Sequence, residues 1–302
     1  MVTRVPTPQR AAAVAPAIAG FRRTEVAVEG VRLTVYRGEP ANSADAPGGP
    51  VTPALLLHGI PQTALVWRHL GPELAVDRVV LAPDLKGLGS SEIAPPYDVA
   101  TLTAELAALV LREVDGPVDV VGHDWGGVLA LGLAGTRPEL VRRLVVINAP
   151  YHTVDLLHAP HMPFFALPVL PELALRAAGR RVVPGLLRWG WGAGNAPPAV
   201  VVDAYVQAYA DPARHGAMLG YYRAAMRHPR RLPDVPAERK LVIWGAADRV
   251  LPVGRVGTSV ATDLGPDTTL VTLPGVGHWP IEEAPELVRR TVTDFLDADQ
   301  PS

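Results

Sequence analysis

The sequence predicts an α/β fold: a mostly parallel sheet with helices on both faces, interrupted once by a helical insertion. Two observations carry this. Short apolar runs alternate with helix-length segments along most of the chain, and continuous apolar runs are what strands covered on both faces require. Between residues 151 and 239 that alternation stops, and Pro-rich, aromatic and His-bearing stretches replace it. With 302 residues, 48% apolar and 19% charged, the chain can bury a large core and has the balance of a soluble globular protein.

Taken in order, residues 1–20 read as a loose N-terminal extension. Arg4 and Arg10 precede a small-residue stretch that superficially resembles a secretory leader, but Pro16 breaks its apolar region. Residues 24–28 and 31–36 alternate apolar and polar side chains around Glu29-Gly30, the pattern of a β-hairpin. A Pro- and Gly-rich loop spans 40–50. Apolar runs at 54–57, 78–82, 118–121, 144–147, 241–244 and 269–273 then read as strands. Segments 101–114, 125–136 and 285–296 have helical spacing, as do 198–209 and 217–227 inside the insertion. This gives a core of residues 21–150 and 240–298. The insertion of 151–239, after the sixth strand, forms a helical cap over the sheet's C-terminal edge, where open α/β sheets bind ligands.

Composition removes several function classes. The absence of cysteine excludes disulfide scaffolds, zinc ribbons, iron–sulfur clusters and thiol catalysis. The 28 basic and 30 acidic residues nearly cancel, which argues against a nucleic-acid surface or a polybasic membrane patch. No apolar run is long enough to span a bilayer, since 162–171 is broken by Pro163, Pro168 and Pro171. The expected location is cytoplasmic and the expected partner is a small-molecule substrate, with a homodimer left open. His152, His158 and His161 lack accompanying acidic ligands, and Gly87-Leu88-Gly89 lacks a third, helix-opening glycine. Neither a metal nor a cofactor is expected.

The chemistry concentrates at strand ends. Val118-Asp119-Val120-Val121 leads through Gly122-His123-Asp124-Trp125-Gly126-Gly127 into a helix, a sharp turn that projects one side chain, Asp124, above the sheet. Asp248 follows the seventh predicted strand, and His278 follows the eighth in Gly275-Val276-Gly277-His278-Trp279. His58-Gly59-Ile60-Pro61 follows the third. A serine at the turn would attack acyl carbon. A carboxylate is a poor acyl nucleophile but displaces leaving groups from sp³ carbon.

From about residue 21 to 298 the chain resembles α/β-hydrolase-fold proteins of the epoxide hydrolase and haloalkane dehalogenase group. The order Asp124, Asp248, His278 is theirs. His58-Gly59-Ile60-Pro61-Gln62-Thr63 resembles the HGxP motif of epoxide hydrolases, and Gly122–Gly127 and Gly87–Ser91 match corresponding loops. The resemblance implies an alkyl-enzyme ester on Asp124, hydrolysed by water that His278 activates while Asp248 orients the imidazole. It also implies an oxyanion hole from the backbone N–H groups of Ile60 and Trp125. Ring opening needs O–H donors, and Gly220-Tyr221-Tyr222-Arg223 fits the family's Tyr-Arg context. Tyr222 is the carried-over acid and Tyr221 its neighbouring fallback. The family's other tyrosine is missing near 162–167, where His161 or Tyr151 could substitute. His58, Pro61, Phe164, Phe165 and Trp279 complete the expected substrate contacts, with a mainly apolar substrate. A dehalogenase with the same nucleophile is the second reading, although Ile60 stands where Asn often supplies a halide donor. A non-hydrolytic cyclase or binding protein of the same fold is the third.

Overall fold

A computed structural model of the chain describes residues 17–40, 51–152, 159–193, 196–227, 232–236 and 239–298. The hairpin strands are β1 (Arg22–Val28) and β2 (Val31–Gly38), followed by β3 (Ala54–Leu57), α1 (Leu70–Leu74), β4 (Val80–Pro83) and α2 (Val99–Glu113). Next come β5 (Val118–His123), α3 (Trp125–Thr136) and β6 (Val141–Ile147). The insertion contributes α4 (His161–Ala166), α5 (Leu170–Ala178), α6 (Val182–Gly190), α7 (Ala199–Ala208) and α8 (Pro212–Arg227). The chain then returns through β7 (Arg239–Gly245), α9 (Thr258–Asp263), β8 (Thr268–Leu273), α10 (Pro280–Glu283) and α11 (Pro285–Asp297).

The described strands form one eight-stranded sheet in the order β1-β2-β4-β3-β5-β6-β7-β8. Pairing is antiparallel for β1–β2 and β2–β4 and parallel from β4 through β8. This is the α/β-hydrolase fold, with the antiparallel hairpin at one edge.

Period-two alternation sorts the strand side chains onto two faces. Leu55, Leu57, Val120, Leu144, Val146, Val242 and Trp244 pack on the face that carries α2 and α3. Leu56, Val121, Val145, Ile147, Leu241 and Ile243 pack on the other, under α1 and α11. Every one of these side chains is essentially inaccessible to water, each worth about 1.5–3 kcal/mol over exposure. Helix α3 is apolar nearly all round because it lies between the sheet and the other helices.

Several boundaries move from those the pattern suggests. Ile18 is buried beneath α1 and Phe21 N–H donates to its carbonyl, so packing begins inside the predicted N-terminal extension. Residues 1–16 and 41–50 lie outside the described residues. Helix α8 starts at Pro212 and not at 217, because the Pro-Ala-Arg-His-Gly segment has no apolar period of its own. Helices α1, α4, α9 and α10 are too short to show a helical repeat in sequence. No helix among the described residues is long and apolar enough to cross a membrane.

Candidate active site

Asp124 stands between β5 and α3 at φ 50°, a left-handed conformation that a non-glycine residue adopts at a cost. Glycines make the turn fit: a Cβ on Gly122 would lie 2.3 Å from Gly126 O, and one on Gly126 would lie 2.1 Å from Leu57 O. An Asp at a helix start ordinarily caps the helix with its own side chain. Asp124 does not. Its Oδ1 accepts the Ile60 N–H at 2.8 Å, and its Oδ2 faces His278 Nε2 at 3.4 Å. Trp125 is the first residue of α3, so its backbone N–H is a helix-start donor with no acceptor inside the helix.

On its other side His278 Nδ1 bonds Asp248 Oδ2 at 2.8 Å. Asp248 is fixed by four donors: this imidazole, the Val250 and Leu251 N–H groups on Oδ1, and Asn148 Nδ2 on Oδ2 at 2.6 Å. Asn148 follows β6 at φ 42° and also accepts the Gly245 N–H. Burial disfavours an imidazolium at His278. The charge of Asp248 and the hydrogen bonds to both carboxylates outweigh it and raise the pKa to about 10. Burial likewise pushes Asp124 upward, but His278, His123 and the Ile60 N–H bring it below its ordinary value. The resting pair is therefore a carboxylate facing an imidazolium.

Above this group, α8 brings Tyr222 edge-on to Trp125, with ring centroids 5.2 Å apart. Burial and the Asp124 charge raise the Tyr222 pKa, opposed by a hydrogen bond from the Trp125 side chain. From α4, His161 meets the Tyr222 ring at 6.1 Å and Phe165 meets it at 5.0 Å, with Phe164 beside Phe165. Burial lowers the His161 pKa to about 4, so the ring is neutral, and its Nδ1 has no hydrogen-bond partner.

Other predicted contacts are committed elsewhere. Tyr221 is fully buried and its hydroxyl donates to Lys86 O at 2.8 Å, so the fallback acid is a packing post. The Tyr151 hydroxyl donates to Pro233 O at 2.8 Å, which removes it as a substitute donor. His58 is inaccessible and braces its loop: Nε2 accepts the Leu85 N–H, so Nδ1–H donates to Gly59 O. It offers no nitrogen to a substrate. Trp279 is buried, packs on the His278 ring at 4.7 Å and gives its indole N–H to Leu187 O. Pro61 is buried in the same loop as Ile60. Of the three histidines set aside as a metal cluster, His158 lies outside the described residues.

Three supporting residues escaped the sequence reading. Asn148 is one. Asp84 is the second, its carboxylate joining the Ala64 N–H to the Ser90 N–H and so tying two site loops together. His123 is the third: its Nε2–H donates to His278 O at 2.8 Å, while burial holds its pKa down to about 4. His123 lies inside the Gly122–Gly127 motif and Asp84 just before the Gly87–Ser91 loop, but neither position marks a supporting role in sequence.

The geometry can be set beside known proteins. Residues 54–291 match the model of the Alpha/beta hydrolase family. Epoxide hydrolase A of Mycobacterium tuberculosis is 30% identical over 318 aligned positions, covering 90% of this chain and 96% of that protein. AB hydrolase superfamily protein YfhM of Bacillus subtilis is 29% identical over 262, covering 80% and 89%. Among solved structures, wild-type Cfl2 from Burkholderia cenocepacia superposes with a TM-score of 0.78 at 26% identity, covering 93% of this chain and 97% of that one. The family match runs from β3 into α11, through the insertion and every strand end that carries a site residue, and the chain belongs to the Alpha/beta hydrolase family.

Proposed function

We propose that this hydrolase opens an epoxide to a diol through an ester on Asp124, with α4–α8 acting as a cap over the site. One observation carries the reading. The residue at the strand-to-helix turn is a carboxylate held ionised by Ile60 N–H and His278, and the Tyr222 phenol packs on Trp125 above it, near enough for the Asp124 charge to raise its pKa. The name of the Mycobacterium tuberculosis relative points the same way.

The chemistry follows from which oxygen is occupied. Oδ1 stays on the Ile60 N–H, and Oδ2, held more loosely at 3.4 Å from His278 Nε2, attacks the sp³ carbon. The ring C–O bond breaks and its electron pair goes to oxygen, which takes a proton from Tyr222 with neutral His161 as a second donor. Once Asp124 is an ester its charge is gone, and with it part of what holds the His278 pKa up. The proton His278 then releases replaces the one Tyr222 gave. Neutral His278 next takes a proton from water, and the hydroxide attacks the ester carbonyl. Negative charge collects on Oδ1, facing the Ile60 and Trp125 N–H groups, each such donor being worth about 3–4 kcal/mol. Collapse expels the alkyl oxygen, which is protonated by His278, and the acid proton of Asp124 returns His278 to imidazolium. The net change is one water added to one epoxide.

A halide leaving group is served less well, since Ile60 stands where the second halide N–H donor is expected. Incubation with a panel of small epoxides and haloalkanes tests the reading. Diol supports it, halide release reassigns the leaving group, and neither product moves the chain to a non-hydrolytic role on the same fold.

A further inference from the structure

The end of α6 lies backbone to backbone against the loop that carries His278. A Cβ on Gly277 would sit 2.3 Å from Gly190 O, and one on Gly192 would sit 2.3 Å from Gly275 O and 2.5 Å from Gly277 N. The alternation Trp189-Gly190-Trp191-Gly192 is thus a requirement of close approach, with both glycines turned to the same loop. Hydrogen bonds cross the seam in both directions. His278 N–H donates to Gly190 O at 2.7 Å, and Ala193 N–H donates to Gly275 O at 2.8 Å.

Glu283 closes the seam. Its Oε2 accepts the Gly192 N–H at 2.8 Å and the Gly277 N–H at 2.9 Å, and its Oε1 accepts the Trp279 N–H at 3.1 Å. One carboxylate holds the amides on either side of His278 and ties them to the insertion, 91 residues away from it in sequence. Capping α10 accounts for the Trp279 bond alone, because Gly192 and Gly277 lie outside that helix. Hydrogen bonds to an ionised acceptor are the stronger kind.

We propose that Glu283 is a positioning residue for His278, and that through it α6 sets where the imidazole stands. This rests on the reading of His278 as the base for ester hydrolysis. Attack by Asp124 needs only the nearby charge of the imidazolium, which varies slowly with its position, whereas ester hydrolysis needs Nε2 aimed to take a proton from water. Loosening the seam therefore slows the second step selectively, and a misplacement of about 1 Å is enough for a roughly 10²-fold loss.

Rapid-quench kinetics with styrene oxide separate the steps in the wild type, Glu283→Gln, Glu283→Ala and Gly192→Ala. Ester formation is expected within about two-fold of wild type in each variant. Ester hydrolysis should fall about 10²-fold in Glu283→Ala, less in Glu283→Gln, which keeps one acceptor oxygen, and the ester should accumulate. Gly192→Ala should reproduce that signature from the insertion side. An equal fall in both steps, or unchanged hydrolysis, overturns the proposal. Hydrogen exchange at the 277–279 amides, faster in Glu283→Gln, is a readout that needs no substrate. If the wild type forms no ester, the epoxide reading fails and the exchange decides the seam: unchanged protection overturns it.

Discussion

Asn148 and Asp248 are joined by a 2.6 Å hydrogen bond that links the residue after β6 to the acid after β7. The amide fills the last acceptor position on Asp248 Oδ2, whose other bond goes to His278. Asn148 also accepts the Gly245 N–H through Oδ1, so its orientation is fixed from both ends.

Asn148→Ala should therefore weaken the support of His278 without touching Asp124. A hydrogen bond to a charged group is worth about 1.5–3 kcal/mol, which sets the expected drop in kcat at roughly 10- to 100-fold. Steady-state kinetics check this. A kcat within two-fold of wild type would mean that the two backbone donors hold Asp248 by themselves.

Tyr222→Phe removes the phenol and keeps the ring packed against Trp125 and Phe165. Ring opening should slow about 10²- to 10⁴-fold, read as the rate of ester formation. His161→Phe should cost less, because a neutral imidazole is the weaker donor. If His161→Phe is the more damaging of the two, the roles exchange.

The buried histidines set the pH dependence of stability. His123 and His161 have folded pKa values near 4, below the unfolded value of about 6.5. The unfolded chain binds more protons in that interval, so this contribution is fully present above pH 6.5 and is lost as pH falls through 4. His278 runs the other way. Its folded value near 10 makes its contribution complete below about pH 6.5 and lost as pH rises through 10. Calorimetric Tm should fall on both sides of neutrality. His161→Phe should flatten the acid limb, and His278→Gln the alkaline one.

Gly59 packs directly on Asp124: a Cβ there would lie 2.5 Å from Asp124 Cβ and 2.6 Å from Oδ1. Gly59→Ala should displace the carboxylate and cut ester formation by about 10²-fold. Overpacking of this kind costs only about 1–3 kcal/mol of stability. Fast ester formation in a folded Gly59→Ala protein would contradict the placement of Asp124.

Much of this site was legible because strained turns need unusual residues. Gly122, Gly126 and Gly127 around Asp124 announce a close strand-to-helix turn, and Gly275 and Gly277 do so before His278. The supporting contacts were not legible. Nothing in Ile-Asn-Ala-Pro marks Asn148 as a donor to a residue 100 positions later, and Glu283 reads as one more acid at a helix start. Tyr221 and Tyr222 are about 100° apart on α8, so only their packing partners show which one faces Asp124. His58 misled for a related reason: its motif lies at the site, but the ring turns inward to hold the loop.

The central claim is that Asp124 forms the covalent bond, and a single turnover in ¹⁸O-water tests it most directly. With enzyme in excess over epoxide, the diol of the first turnover should carry no label, because its new oxygen comes from Asp124. The peptide containing Asp124 should gain one ¹⁸O. Label in the first-turnover diol with Asp124 unlabelled would mean direct attack by water, and would contradict the account.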